Sequence, residues 1–71
     1  MNPPRLRWKK FGRDLRHIRN SEAHVSVRKM ARLIGINYST YVRAEKGRTV
    51  EAAHFMRICS RNDLNPMSYV P

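Results

Sequence analysis

The sequence has little of what marks secreted or membrane-spanning proteins. Cys59 is its single cysteine, so no internal disulfide can form, and we expect the chain to fold in a reducing compartment, the cytoplasm. No apolar run approaches the roughly 20 residues that span a bilayer, and segment 1–7 lacks the apolar stretch of a signal peptide. We therefore expect neither a membrane span nor secretion.

Potential metal ligands are also scarce. The soft ligands are Cys59 and the histidines His17, His24 and His54, and no two of them have the paired spacing that a zinc site requires. Cys59 lies on the apolar face of a predicted helix, which favours a small core residue over a nucleophile. We predict no metal, no cofactor, no small-molecule ligand and no enzymatic activity.

Acidic residues are few compared with basic ones. The 71-residue chain has 15 Lys plus Arg against 5 Asp plus Glu, which gives a formal net charge of +10 at pH 7. A compact domain with this excess binds a polyanion, and the candidates are nucleic acid and an anionic membrane. The basic residues alternate with apolar ones, as on the charged faces of packed helices. The length predicts one domain with a single small core.

Apolar residues recur every three or four positions along several segments, which is typical of amphipathic helices. The first segment runs from Leu6 to Ile18, and the periodicity breaks at Asn20. Ser26 then offers a side-chain oxygen to cap a second helix. Gly35 ends that helix, because glycine adopts the left-handed conformation of a helix end at little cost.

A tight turn follows the second helix. It consists of Ile36 and Asn37, and Asn37 can cap the third helix. The third helix runs from about Tyr38 to Lys46 and stops at Gly47. So short a connection makes the two helices meet at a steep angle, which predicts a helix-turn-helix.

Two further helical segments follow. Thr49 is the predicted cap of a fourth helix that carries Val50 and Ile58 on its apolar face. Asn65 followed by Pro66 is a helix start signal, which predicts a short fifth helix or turn. The whole pattern predicts an all-α fold, a compact domain of four to five helices with the helix-turn-helix formed by helices 2 and 3.

The run from Ser26 to Gly47 resembles the Cro/CI, or XRE-type, helix-turn-helix family of lambda-repressor-like DNA-binding domains. The matching motifs, in chain order, are Met30-Ala31, Ile34-Gly35-Ile36, Ser39-Thr40 and Glu45-Lys46-Gly47. The segments that look like the family's first, fourth and fifth helices are Phe11 to Arg19, Phe55 to Cys59 and Asp63 to Pro66. The resemblance therefore covers nearly the whole chain.

Two features depart from the family pattern. Val27 stands where the family usually has glutamine, and the connection after the first helix is one residue longer, near Ala23 and His24. The resemblance implies a lambda-repressor-like fold. We therefore expect residues 1–71 to form a single helix-turn-helix DNA-binding domain, with residues 1–5 as a candidate flexible N-terminal arm.

The third helix carries the predicted contacts to DNA bases. An α-helix fits the major groove of B-DNA, and its exposed N-terminal side chains reach base edges. The resemblance implies base reading by Tyr38, Ser39 and Arg43, whereas Tyr41 and Ala44 point into the core. Arg43 can donate two hydrogen bonds to guanine, and an apolar side chain can contact a thymine methyl. The predicted base contacts are Tyr38, Ser39, Val42 and Arg43.

Polar and basic residues at the ends and edges of helices are the predicted contacts to the DNA backbone. They are Arg28, Lys29, Asn37, Thr40, Lys46 and Arg48.

The resemblance also implies a structural ion pair and a dimer. Glu45 would pair with an arginine of the first helix, a position that Arg19 occupies here. A homodimer would use apolar residues near the C-terminus, although these residues could equally cap the core of the monomer. The candidates for the dimer interface are Leu64, Met67, Tyr69 and Val70.

The function that the resemblance implies is transcriptional regulation through double-stranded DNA. We expect a repressor, and a candidate autorepressor, that binds an inverted-repeat operator as a homodimer in the cytoplasm, at a bacterial or phage-type nucleoid. The alternative is a basic, non-catalytic module that binds RNA or a protein partner. A membrane-active amphipathic peptide would not need glycines at the ends of its helices, as Gly35 and Gly47 are here.

Overall fold

Four α-helices form most of residues 5–71, the part of the chain that the computed structural model describes. They are α1 (Trp8–His17), α2 (Val27–Ile34), α3 (Tyr38–Glu45) and α4 (Ala52–Arg61). A π-helical segment, Ile18–Ala23, extends α1, and a 3-10 helix, Pro66–Tyr69, follows α4. No strand occurs within residues 5–71. The all-α prediction is confirmed, as is the placement of the helix-turn-helix in helices 2 and 3.

The candidate N-terminal arm is described only at its last residue. Residues 1–4 lie outside the described residues, and Arg5 is exposed. Two residues later, the Arg7 amide donates a hydrogen bond of 2.8 Å to the Tyr69 carbonyl oxygen. The backbone that leads into α1 is therefore bound to the C-terminal 3-10 helix.

Several helix ends lie where the sequence predicts them. The Ser26 hydroxyl accepts a hydrogen bond of 3.1 Å from the Lys29 amide and caps α2. Gly35 ends α2 with a φ of +86°, a left-handed conformation that other residues adopt at a cost. The Asn65 side chain accepts a bond of 3.0 Å from the Met67 amide and starts the 3-10 helix.

The first helix differs from its prediction at both ends. It begins at Trp8 rather than at Leu6, because the backbone before it is bound to the C-terminal segment. It also continues beyond Asn20 as the π-helical segment and ends at His24, whose φ is +52°. A π-helical turn accommodates one more residue than an α-helical turn. Residues 20–23, where the apolar periodicity breaks, are therefore helical rather than a loop.

The prediction that Thr49 caps the fourth helix is wrong. α4 begins at Ala52, and Glu51 occupies the cap position without a side-chain cap bond. Val50 precedes the helix, where its buried side chain packs into the core. The chain stays non-helical at residues 48–50 to insert that side chain. Asn37 does precede α3, but its side chain makes no capping hydrogen bond.

Aromatic rings dominate the core where α1, α4 and the 3-10 helix meet. Trp8, Phe11, Phe55 and Tyr69 pack edge to face, with the closest pair of ring centroids, Phe11 and Phe55, 4.8 Å apart. The Tyr69 hydroxyl donates a bond of 2.6 Å to Asp14 Oδ2. Burial, aided by the Asp14 carboxylate, raises the pKa of Tyr69, so its hydroxyl stays protonated.

The burial of Tyr69 corrects its assignment to a dimer interface. Only 1% of its surface is exposed, because its ring fills the core of the monomer. Leu64 also packs against this core. Met67 and Val70 are exposed, by 69% and 45%, and remain available to a partner.

Two further observations concern residues 5–71 as a whole. None of their helices has the length and apolar character needed to cross a membrane. Cys59 is buried, and burial raises the pKa of its thiol to about 11. The thiol therefore stays protonated at neutral pH, as expected for a core residue.

Gly12 of α1 lies directly against the backbone at the end of α3. A Cβ atom at this position would lie 2.7 Å from the Glu45 carbonyl oxygen, 2.8 Å from that of Ala44 and 2.9 Å from the Gly47 nitrogen. All three are backbone atoms, which cannot rotate aside. Gly12 therefore allows α1 to contact the end of α3 directly.

We expect Gly12→Ala to lower the free energy of unfolding by about 2 kcal/mol, because the clash exceeds the gain in helix propensity of alanine over glycine. Urea denaturation measures the change. Arg13→Ala, at the next and exposed position of α1, serves as the control and should alter stability by less than about 0.5 kcal/mol. Equal stability of Gly12→Ala and the wild type would contradict the close contact.

Candidate nucleic-acid interface

The two helices of the helix-turn-helix are joined by a tight, hydrogen-bonded turn. The Gly35 and Ile36 amides both donate to the Ala31 carbonyl oxygen, at 2.9 and 3.0 Å. These bonds satisfy the end of α2 and redirect the chain into α3 within a few residues. The start of α3 thus has a fixed direction relative to α2.

One edge of α3 is buried and the other is exposed. Tyr41 and Ala44 are fully buried in the core. Tyr38, Ser39 and Arg43 are exposed, and Val42 is half-buried. The structure therefore places the predicted base contacts on the solvent side of α3.

The predicted backbone contacts surround this exposed edge. Asn37 is exposed just before α3, and Lys46 and Arg48 are exposed just after it. Thr40 is half-buried and lines a surface depression of about 330 Å³ together with Arg43, Thr49, Val50, Glu51 and His54. Arg28 and Lys29 are exposed in the first turn of α2.

Arg43 is held by the connection between α3 and α4. Its Nη2 donates a hydrogen bond of 3.1 Å to the Thr49 carbonyl oxygen. A guanidinium has five N–H donors, so the other donors stay free for a ligand. Thr49 thus limits the directions in which Arg43 can point.

Tyr38 is in contact with a second arginine. The Arg28 guanidinium carbon lies 4.4 Å from the centre of the Tyr38 ring. The tyrosine side chain also lines a groove with Val27 and Val42. Its ring is therefore supported although 44% of its surface is exposed.

An ion pair binds the end of α3 to the π-helical segment that extends α1. Arg19 Nε and Nη2 donate to the two carboxylate oxygens of Glu45, at 2.6 and 3.1 Å. The side chains are 17% and 8% exposed, and this pairing raises the pKa of Arg19. The structure thus brings together the two residues that the resemblance pairs.

Two neighbours complete the surroundings of Glu45. Arg16 Nη1 donates to the Glu45 carbonyl oxygen, one of the backbone acceptors that the end of a helix leaves without a partner. The buried Tyr41 hydroxyl makes no hydrogen bond of normal geometry with the described residues. Burial and the nearby Glu45 carboxylate raise the pKa of Tyr41, so its hydroxyl stays neutral beside the ion pair.

Within residues 5–71, no group of three His, Cys, Asp or Glu side chains is placed to hold a metal ion. The three soft residues that lie in helices are on separate elements or faces: His17 on α1, and His54 and Cys59 on α4.

Among solved structures, the chain is similar to the high-resolution crystal structure of the restriction-modification controller protein C.AhdI from Aeromonas hydrophila. The two chains are 28% identical, and the match covers 84% of this chain and 87% of that chain with a TM-score of 0.66. The chain has a helix-turn-helix fold. No protein-family model matches the sequence, and no curated protein sequence matches it.

Sequence reasoning predicted the partner of Glu45, Arg19, but missed three other contributors to the geometry of the site: Gly12, Arg16 and the backbone of Thr49. Gly12 and Arg16 are four residues apart on α1, and Arg19 follows three residues later, so all three share one helix face. That spacing was a usable signal. Thr49 acts through its backbone carbonyl, for which a sequence contains no signal.

We expect Arg19→Ala to lower the melting temperature and the free energy of unfolding by about 3 kcal/mol, because Glu45 would remain buried without its partner. Thermal and urea denaturation measure both quantities. Arg32→Ala, an exposed arginine of α2, is the matched control. An unchanged melting temperature of Arg19→Ala would count against a stabilising role for the pair.

Proposed function

We propose that this protein is a sequence-specific regulator of transcription that binds double-stranded DNA by inserting α3 into the major groove. The observation that carries the proposal is the division of α3 into two edges. Tyr38, Ser39 and Arg43 are exposed together, while Tyr41 and Ala44 are fixed in the core. A helix presented in this way can meet base edges with a defined orientation.

The similarity to C.AhdI, a restriction-modification controller protein, supports a regulatory role. Its coverage of most of both chains supports treating residues 1–71 as one domain of the Cro/CI, XRE-type family. In this proposal Tyr38, Ser39, Val42 and Arg43 contact bases. The proposed backbone contacts, where lysine and arginine add affinity without choosing sequence, are Arg28, Lys29, Asn37, Thr40, Lys46 and Arg48.

The net charge of the domain also supports DNA as the ligand. The net charge of +10 strengthens association with a polyanion, and four of the proposed backbone contacts are cationic. The electrostatic contribution does not depend on base sequence, so discrimination has to come from the exposed edge of α3.

We further propose a homodimeric repressor, and a candidate autorepressor, that acts without catalysis at an inverted-repeat operator. One copy of α3 spans few base pairs, and two copies double the contacts if their half-sites are about 34 Å apart. Met67 and Val70 are the exposed apolar residues near the C-terminus that support a dimer interface there. Tyr69 anchors that segment to the core rather than to a partner.

Selection of bound duplexes from a random library tests the DNA-binding proposal. We expect the wild type to enrich one motif and Arg43→Ala to lose preference at one base position, because Arg43 would no longer reach guanine. Arg61→Ala, at the exposed end of α4, should keep the motif and its strength.

Two results would oppose this assignment. A wild type that enriches no motif would favour the alternative of a basic module for RNA or a protein partner. If Arg43→Ala weakens all sequences equally, Arg43 contacts a phosphate rather than a base.

Sedimentation of the protein on a duplex with the selected motif tests the dimer. We expect two copies per inverted repeat, and we expect Met67→Asp to weaken binding at least tenfold because a charge would enter an apolar interface. Ser60→Asp adds the same charge at an exposed position of α4 and is the control. A single copy on every duplex would exclude the dimer.

A further inference from the structure

The stack of Arg28 on Tyr38 connects the two helices of the helix-turn-helix. Arg28 lies in the first turn of α2, and Tyr38 is the first residue of α3. The distance of 4.4 Å between the guanidinium carbon and the ring centre is within the range of about 6 Å for an attractive cation–π contact. The contact thus joins residues that ten positions of sequence separate.

The rest of the groove around Tyr38 gives support but little orientation. Val27 and Val42 contribute apolar surface and have no polar side-chain atom with which to fix a ring. The groove is also lined by Arg16, Glu45 and Lys46; Arg16 binds the Glu45 carbonyl oxygen and the Glu45 carboxylate pairs with Arg19. A half-exposed tyrosine on such a surface can occupy more than one rotamer. A planar guanidinium over the ring favours the rotamer in which the two planes meet.

We propose that Arg28 is a positioning residue that orients Tyr38 for base recognition, so that the sequence preference at the base that Tyr38 reads depends on Arg28. The proposal rests on the proposed DNA-binding function. It gives Arg28 a second task besides the backbone contact, since one face of the guanidinium lies against the ring and its N–H edges remain free for a phosphate. The stack then couples a backbone contact to a base contact.

Comparison of two variants at these positions tests the coupling. Arg28→Lys keeps the positive charge but loses the planar group, and Tyr38→Leu removes the ring. We expect both to relax preference at the same base position, Arg28→Lys by about two- to fivefold, the range for an exposed cation–π contact. The double variant should prefer that base no less than Tyr38→Leu alone.

Lys29→Ala is the matched control, because Lys29 is the exposed neighbour of Arg28 in the same turn. It should weaken binding to all sequences alike and lower the salt slope by about one, whereas Arg28→Lys should leave the salt slope unchanged. An Arg28→Lys protein that keeps the full wild-type preference would overturn the positioning role. Relaxed preference at two different base positions would overturn it too.

A measurement on the free protein separates this inference from the proposed function. In the nuclear magnetic resonance spectrum, the Cδ protons of Arg28 should be shifted upfield by the Tyr38 ring and should lose that shift in Tyr38→Leu. A missing shift overturns the stack whether or not DNA is bound. If the wild-type protein shows the shift but selects no DNA motif, the proposed function is overturned. The role of Arg28 in base recognition is then overturned as well.

Discussion

The contact between α1 and the last turn of α3 is the constraint on which the rest of the domain depends. Gly12 lets the two backbones touch, Arg16 binds the last carbonyl of α3, and Arg19 pairs with Glu45. The two arginines also place positive charge at the negative end of the α3 macrodipole. With that end fixed, α3 cannot rotate about its axis. The same side chains of α3 therefore always face the solvent.

The position of α1 depends in turn on the C-terminal segment. The Arg7 amide and the Asp14 carboxylate both bind Tyr69, whose ring packs against both Phe11 and Phe55. A chain this short buries only about 60% of the surface that its unfolded form exposes, so each large side chain contributes much of the core. The last helical turn is thus part of the support for α3, although it lies far from it in sequence.

The features that could be predicted from the sequence are those that local chemistry decides. A serine cap at Ser26 and a left-handed glycine at Gly35 depend on their immediate neighbours, so both are where the sequence indicates. The buried edge of α3 follows from helical periodicity. Thr49 failed as a cap because the burial of Val50, a tertiary effect, outweighs the local preference.

The candidate site was less accessible to prediction. Its exposed residues follow from helix geometry, but the partners that aim them do not. Arg43 is bound by the carbonyl group of Thr49, and the Tyr38 ring lies against the guanidinium of Arg28. Such contacts depend on how helices cross and on which rotamers fit, which are properties of the packed domain.

The two inward-facing carboxylates also shape the electric field outside the protein. The Asp14 carboxylate accepts a hydrogen bond from the Tyr69 hydroxyl and Glu45 is neutralised by Arg19, so the exposed acids are Glu22, Glu51 and Asp63. Few acidic side chains therefore weaken the electric field of the surface cations. In physiological salt this field extends over a Debye length of about 8 Å. The proposed DNA partner would meet this attraction before any side chain touches it. The inward placement of these carboxylates therefore leaves the surface attraction that would steer the proposed DNA partner toward the protein.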